Sequence, residues 1–283
     1  MNLYEVDRGM KMDCELVLSN IRKEFKEYVS KAKLQSVVLG ISGGLDSAIV
    51  AAIVRPVCDK LKISLVGFSL PSSTNKDEEV WRANEVMFSF CTIYFGEEID
   101  KHVKEFSSTL ELNNPIVQQE KIALGNIKSR CRMILLYSYA FRLKGMVLGT
   151  DNLTEYNLGF WTLHGDVGDF SPIQNLWKSE VYELARWIVA NEFKEATKHP
   201  YSYSERLVSL QACIDAVPTD GLGITSSDLE QIGVKSYEEA DLIFKEYFEL
   251  GKHKDSPVIQ RYLRTMFKRN NPYNITREQL FGE

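Results

Sequence analysis

Helix-like and strand-like segments alternate along the first half of this chain. Apolar residues recur at helical spacing over 13–33, which predicts a leading helix. Four short apolar runs predict strands, at 37–41, 63–70, 92–95 and 145–149. Helices are predicted between them, at 45–61, 77–90 and 126–143. This alternation is typical of an α/β fold, a parallel sheet flanked by helices. From about residue 177 onward the pattern is mainly helical.

Each predicted strand runs into small or polar residues at its carboxyl end. These segments lie at 42–44, 69–74, 96–97 and 150–152. Ligands of open α/β sheets bind beyond the carboxyl ends of the strands. We therefore expect these four segments to line one crevice.

The turn after the first predicted strand carries the strongest chemical signal. It reads Gly40-Ile41-Ser42-Gly43-Gly44-Leu45-Asp46-Ser47. The two glycines let backbone N–H groups approach an anion, and the helix that follows favours a phosphate at its start. Asp46 is placed to hold a divalent cation beside the phosphates. The turn lacks the lysine of the P-loop. The alternative is an ordinary tight turn with a carboxylate at a helix N-terminus.

A second polar turn follows the strand predicted at 145–149. It reads Gly149-Thr150-Asp151-Asn152-Leu153-Thr154-Glu155. Glu155 is predicted to complete a Mg²⁺ site with Asp46, because hard carboxylate oxygens suit this ion. The alternative is a structural Asx turn that leaves Glu155 at a solvated helix start.

Three further features are candidates for contacting an anionic ligand. Lys178 enters the first turn of a predicted helix, where a cation opposes the helix dipole, so we expect it to reach a phosphate. The alternative is a solvated surface lysine. Arg130 and Arg132 are two positions apart and leave their helix on different faces, so one would meet the ligand while the other pairs with a carboxylate. The Gly-rich segment 218–223 predicts a loop that closes over the site.

Composition narrows the class of protein. A net charge of -5 and a pI near 5.6 argue against general binding to nucleic acids or anionic membranes. The sequence has no apolar run of transmembrane length and no signal-peptide pattern. Its five cysteines are scattered without a C-x-x-C pair, so neither a disulfide framework nor a zinc site is expected. We predict a cytoplasmic protein with no nucleic-acid or membrane partner.

The domain organisation is predicted to be simple. No linker, internal repeat or low-complexity tract divides the sequence, so one domain is expected over 1–283. Within it we distinguish a leading helical segment (1–35), a nucleotide-binding core (36–175) and a mainly helical C-terminal part (176–283).

The ordered set of motifs resembles a known family. The turn from Ser42 to Ser47 is similar to that of the N-type ATP pyrophosphatases. Further motifs resemble those of the NAD(+) synthetases in the same order, namely Gly125 to Met133, Gly149 to Glu155, Gly165-Asp166, Pro172-Ile173, Lys178, Pro218-Thr219 and Lys268-Arg269-x-x-Pro272. The resemblance spans about 36–272 and implies a Rossmann-like adenine nucleotide alpha hydrolase fold. It also implies a homodimer with the dinucleotide bound across the interface. Because 35 residues precede the first motif strand, where glutamine-dependent members carry an amidohydrolase domain, it implies the ammonia-dependent form.

The resemblance implies a reaction and a role for each matching residue. The reaction is the ATP-dependent amidation of deamido-NAD (nicotinic acid adenine dinucleotide) to NAD⁺ by ammonia, through an adenylated intermediate, with release of AMP and pyrophosphate. ATP would be bound by Gly40 to Ser47, Thr150, Lys178 and Thr219. Deamido-NAD would be bound by Arg130, Asp169 and Lys268. Mg²⁺ would be held by Asp46 and Glu155, and the catalytic residues would be Asp46 and Lys178.

One segment departs from the family pattern. Many ammonia-dependent members have Thr-Lys-Tyr-Gly-Asp where this chain has Thr162-Leu163-His164-Gly165-Asp166, and the loop before Pro172 is one residue shorter. Leu163 therefore replaces a substrate-contacting lysine. Two other functions stay open on this evidence. One is a related ATP pyrophosphatase ligase, GMP-synthetase-like or tRNA-modifying, and the other is a nucleotide-binding sensor without catalysis.

Overall fold

The computed structural model describes residues 12–112, 117–166, 168–193, 202–218 and 228–282. Four parallel strands in these ranges form one sheet of order β3-β2-β1-β4. The strands are β1 (Ser36–Gly40), β2 (Ser64–Ser69), β3 (Ile93–Gly96) and β4 (Gly145–Val147). In the central register Val38 pairs with Val66 on one side and with Val147 on the other.

Helices connect the strands and cover the sheet. In the first half these are α1 (Cys14–Ala32), α2 (Leu45–Leu61), α3 (Asp77–Phe90), α4 (Asp100–Thr109) and α5 (Gln118–Arg142). Asp13 caps α1 by accepting a hydrogen bond from the N–H of Leu16 (3.0 Å), as short acidic side chains commonly do. The predicted bounds of α2 and α3 are confirmed. By contrast, α4 is absent from the prediction, and α5 begins earlier than residue 126.

The second half is mainly helical, as predicted. Its helices are α6 (Leu153–Leu158), α7 (Lys178–Asn191), α8 (Ser202–Asp215), α9 (Asp228–Ile232), α10 (Tyr237–Leu250), α11 (Pro257–Arg264), α12 (Met266–Arg269) and α13 (Arg277–Phe281). Helices α6, α9, α10 and α11 share a small apolar core that contains Leu158, Ile232, Phe244 and Val258.

Side-chain alternation along β1 divides the main core into two layers. Val37 and Leu39 pack with buried residues of α1, α2, α3, α7 and α8. Val38 packs on the opposite face with Val66 and with buried residues of α4 and α5, such as Ile127. Successive strand residues point to opposite faces, so a nearly continuous apolar run is needed when both faces are covered. The α/β architecture predicted from the sequence is confirmed.

The strand order places one crevice at the centre of the sheet. β2 and β3 follow on one side of β1, whereas β4 pairs with its other side. The segments that leave β1 and β4 therefore diverge at a topological switch point, where ligands of such sheets bind. Both polar turns identified in the sequence begin at this point.

All five cysteines are free and buried, and burial raises the pKa of Cys58, Cys91 and Cys213 to about 12. Across the part of the chain that the structure describes, we find no helix with the length and apolar character needed to cross a membrane.

Candidate active site

The turn after β1 is a compact loop held by its own side chains. The Ser42 and Ser47 hydroxyls lie 3.2 Å apart, and Ser47 Oγ also donates to the carbonyl of Gly44 (3.2 Å). The N–H of Gly44 donates to Ser42 Oγ (3.2 Å). Gly44 then begins α2, with extended backbone angles suited to a helix N-cap. The Ser42 and Ser47 hydroxyls thus define the shape of the loop that is predicted to bind ATP.

Gly43 has a packing role that sequence reasoning did not anticipate. Its φ is +81°, and a Cβ at this position would lie 2.1 Å from the carbonyl oxygen of Glu79 in α3. Its own carbonyl accepts hydrogen bonds from Arg82 Nε (2.9 Å) and from Cys213 Sγ (3.6 Å). The loop is therefore fastened to both α3 and α8.

We expect Gly43→Ala to destabilise the protein by about 2–5 kcal/mol, because a strained φ and a backbone clash add together. Gly96→Ala is the control, since a Cβ there has no atom within 4 Å and should change stability by less than about 1 kcal/mol. Denaturant unfolding measures both. Equal stability of the two variants would contradict the packing role.

Three charged side chains converge where the two polar turns meet. Lys178, the first residue of α7, donates from Nζ to Asp46 Oδ2. The same Nζ lies 3.1 Å from Glu155 Oε1. Lys178 is only 5% exposed, so its ammonium is removed from water and held by two carboxylates. The lysine at a helix start is thus aimed into the crevice, which the solvated-lysine alternative does not explain.

The electrostatics of this group are dominated by the carboxylates. Burial alone would lower the pKa of Lys178, but Asp46 and then Glu155 outweigh it and raise the pKa well above its ordinary value. Burial also raises the pKa of Asp151 well above its usual range, and the nearby carboxylates of Glu155, Asp166 and Asp46 add to the effect. This part of the crevice therefore places the Lys178 ammonium among several acidic groups.

Asn152 orders the acidic side chains. Its Oδ1 accepts from the N–H of Glu155 (3.0 Å) and so caps α6, while its Nδ2 donates to Asp46 Oδ1 (3.1 Å). It is fully buried. One amide thus links the turn after β4 to the turn after β1. The sequence offered a structural Asx cap and a ligand-binding role as alternatives for this turn. In the structure the turn forms the Asx cap and also brings the charged side chains together.

The crevice itself is a cleft of ≈ 390 Å³ at the carboxyl ends of β1, β2 and β4. Many of the predicted ATP and metal residues line it, namely Gly40, Ile41, Ser42, Gly44, Leu45, Asp46, Thr150, Glu155 and Lys178. Three of the four predicted strand-end segments, those after β1, β2 and β4, line this cleft, whereas the segment 96–97 after β3 does not.

Comparison with known proteins decides the family. A family model described as NAD synthase matches residues 17–272. The chain belongs to the NAD synthase family. The NH(3)-dependent NAD(+) synthetase of Thermoplasma acidophilum is 32% identical over 257 residues, which cover 89% of this chain and 94% of that protein. The corresponding enzyme of Methanocaldococcus jannaschii is also 32% identical, over 86% of this chain and 87% of its own length.

Solved structures agree on the fold. The NH3-dependent NAD synthetase of Campylobacter jejuni superposes with a TM-score of 0.67 at 24% identity and covers 94% of this chain and 100% of that one. The NMN synthetase of Francisella tularensis superposes with a TM-score of 0.71 at 23% identity, over 92% and 95%. The NAD synthase fold predicted from the motifs is confirmed.

In the structure, the three residues that are predicted to bind deamido-NAD form hydrogen bonds with backbone groups of the protein. Arg130 donates to the carbonyl of Leu163 from Nε (3.3 Å) and Nη2 (3.2 Å). Asp169 accepts from the N–H of Val147 (2.9 Å) at the edge of β4. Lys268 Nζ donates to the carbonyl of Gly159 (2.7 Å), and burial lowers its pKa. Their roles toward the dinucleotide stay predictions.

The segment from Thr162 to Asp166, which departs from the NAD synthase pattern, is a turn held by side-chain hydrogen bonds. Asp166 accepts from the N–H of Thr162 (2.8 Å) and from Ser129 Oγ of α5. His164 has a φ of +56°, and its Nε2 lies 3.2 Å from Asn271 Nδ2. Leu163 accepts from Arg130 through its backbone carbonyl, a contact that does not depend on its side chain and does not replace the missing lysine. Thr219, predicted to contact ATP, lies outside the described residues.

The sequence predicts two further cleft side chains to different degrees. Arg132 is one of the two arginines considered for a ligand contact, whereas Tyr237 carries no recognisable local signal. Arg132 lines the cleft and donates from Nε to the carbonyl of Leu70 (2.8 Å), while burial lowers its pKa. Of the pair Arg130 and Arg132, it is the one that lines the cleft, whereas Arg130 donates to the Leu163 carbonyl and, within the described part of the chain, not to the predicted carboxylate. Tyr237 of α10 also lines the cleft, and its ring centroid lies 5.5 Å from Lys178 Nζ.

Proposed function

We propose that this chain catalyses the ATP-dependent amidation of deamido-NAD to NAD⁺ with ammonia as the nitrogen donor. Membership of the NAD synthase family and the two ammonia-dependent relatives support this reaction. The observation that carries the proposal is the meeting of Asp46, Glu155 and Lys178 in a cleft at the switch point of the sheet.

The reaction has two steps. The nicotinate carboxylate of deamido-NAD attacks the α-phosphorus of ATP, forming a mixed acyl-phosphate anhydride and expelling pyrophosphate. Ammonia then attacks the acyl carbon, and AMP leaves as the amide forms and a proton is released. A free carboxylate is a poor electrophile, so the first step gives it a leaving group. The chain therefore needs no protein nucleophile, and its main task is to stabilise negative charge on phosphates.

The residues of the cleft suit that task. Backbone N–H groups at the start of α2 would face a phosphate bound beyond β1, and the helix dipole would add positive potential there. The Lys178 ammonium, already desolvated, needs little reorganisation to contact a phosphate oxygen as charge shifts to pyrophosphate. Thr150 lines the same cleft.

The carboxylates of Asp46 and Glu155 are suited to bind a magnesium ion jointly with the phosphate oxygens of the substrate. The Lys178 ammonium lies between their oxygens, so the two carboxylates already converge on a cation. No group of three or more metal-ligating side chains occurs within the described ranges. Two carboxylates supplemented by phosphate oxygens are a common arrangement for Mg²⁺. When bound, the ion would supply Lewis-acid neutralisation of phosphate charge.

The assembly and location of the enzyme are part of the proposal. We infer a homodimer, and the apolar side chains that α5 exposes, including Ile134 and Phe141, support a partner surface there. We also infer a cytoplasmic location, where reducing conditions keep free cysteines such as these five reduced.

The direct test supplies purified protein with ATP, Mg²⁺, deamido-NAD and ammonium. We expect NAD, AMP and pyrophosphate in equal amounts, and far less product when glutamine replaces ammonium. Parallel reactions replace deamido-NAD with nicotinate mononucleotide, xanthosine monophosphate or tRNA. Faster turnover of one of these would assign a different ligase activity. Calorimetric binding of ATP without any pyrophosphate release would instead identify a sensor.

A further inference from the structure

The first turn of α7 is held by side chains from other elements. Trp177 precedes the helix, and its side chain makes no capping hydrogen bond. The N–H of Lys178 donates to Thr154 Oγ1 (2.9 Å), and the N–H of Ser179 donates to Asp241 Oδ2 (3.0 Å). Thr154 Oγ1 in turn donates to Asp241 Oδ1. Asp241 therefore caps α7 from another helix, and both of its carboxylate oxygens are engaged.

The cap is deeply buried. Asp241 is 2% exposed and Thr154 is fully buried. Burial raises the pKa of Asp241, and the hydrogen bonds from Thr154 and Ser179 oppose this shift. A buried carboxylate is costly unless hydrogen bonds and a favourable potential compensate it. The N-terminus of α7 supplies both, because its N–H groups and dipole favour a negative group at this end.

Asp241 belongs to a stripe of residues along one face of α10. Tyr237, Asp241 and Lys245 are spaced four apart and so lie above one another on the helix. Tyr237 places its ring beside the Lys178 ammonium, and Lys245 Nζ lies 3.6 Å from Glu180 Oε1. All three members of the stripe thus contact the first turn of α7.

We propose that Asp241 is a positioning residue that fixes the Lys178 ammonium between Asp46 and Glu155. The inference rests on the proposed function, in which Lys178 contacts ATP. The Asp241 carboxylate acts on the backbone of α7, through Ser179 directly and through the Thr154 hydroxyl that accepts from the N–H of Lys178. Displacing a catalytic group by about 1 Å from a remote position can cost about 100-fold in rate.

A double-mutant cycle on ATP binding separates positioning from general stabilisation. Asp241→Asn keeps the shape but replaces one acceptor oxygen with an amide donor. Calorimetry with Mg²⁺-ATP is carried out on the native chain, on Asp241→Asn, on Lys178→Ala and on the double variant. We expect Asp241→Asn to weaken ATP affinity about tenfold in the native chain, but less than about twofold when residue 178 is already alanine, because coupled residues are not additive. Equal weakening in both backgrounds, or none in the native chain, would overturn the proposal.

Control variants guard against an effect of unfolding. Glu249→Gln removes a carboxylate from the exposed part of the same helix and should leave ATP affinity unchanged. If Asp241→Asn does not fold, Thr154→Val removes the linking hydroxyl at nearly constant volume and should show the same dependence on Lys178. The NAD-forming assay on the native chain is run separately. Absence of NAD formation in that assay would refute the proposed function, while the double-mutant cycle on ATP binding would still decide the role of Asp241.

Discussion

Replacing Asp46 with asparagine should lower the rate of pyrophosphate release about 1000-fold while the protein stays folded. Asparagine preserves the size of the side chain and can still accept the hydrogen bond from Asn152. It removes the charge that, with Glu155, would hold Mg²⁺ next to the phosphates, and such ions contribute several kcal/mol to transition-state stabilisation. Single-turnover pyrophosphate release measured over a range of Mg²⁺ concentrations tests this expectation.

The matched control for this variant is Asp59→Asn, on the same helix but in a pair with Arg55 outside the cleft. It should retain the native rate. Near-normal pyrophosphate release by Asp46→Asn would exclude a metal-binding role for Asp46. A low rate accompanied by loss of the thermal unfolding transition would instead indicate a structural role.

Replacing Lys178 with alanine should lower kcat/KM for ATP by about 100-fold or more, with little change in KM for deamido-NAD. The variant removes the desolvated cation that would contact the phosphates. Loss of one preorganised charge of this kind commonly lowers kcat by about 100- to 1000-fold. It also leaves Asp46 and Glu155 facing each other without the ammonium. Steady-state kinetics with each substrate varied in turn distinguishes the two effects.

Lys178→Arg should rescue the activity only poorly, because a planar guanidinium cannot reproduce a compact ammonium held by two carboxylates. Lys26→Ala on the exposed face of α1 is the control and should have native kinetics. An effect of Lys178→Ala confined to deamido-NAD would show that this lysine serves the other substrate.

The fold could be predicted well where periodicity is strong. The apolar pattern of α2 is continuous, and its predicted bounds match the structure. α4 was not predicted because its sequence is rich in polar and charged residues and it buries only Val103 and Ser107. Weak apolar spacing cannot distinguish such a surface helix from a loop. α5 begins before residue 126 for a related reason, since its first turns are polar and partly exposed.

The site could be predicted only as far as it is local. The polar turns identify Asp46 and Glu155 in the sequence. Lys178 is identified by its place at a helix N-terminus, where a cation is unfavourable. The structure brings these three side chains together. Asp241 has no such local signal. Its partners, the Ser179 N–H and the Thr154 hydroxyl, lie 62 and 87 positions away, and their contact depends on how α10 packs. The same holds for Gly43, whose constraint comes from the approach of α3. Properties that depend on tertiary packing are not encoded in a short motif.

The wide separation of the site residues along the chain has a consequence for biosynthesis. Lys178 is made 132 positions after its partner Asp46, and Asp241 follows 62 positions after Ser179. At about 5–20 residues per second, a ribosome needs roughly 10 to 40 seconds to pass from Asp46 to Asp241. Strands β2, β3 and β4 are all made during that interval, and Lys178 and its cap from Asp241 follow them. A nascent chain would therefore acquire its nucleotide pocket only late in synthesis, after the last of these helices has emerged and packed.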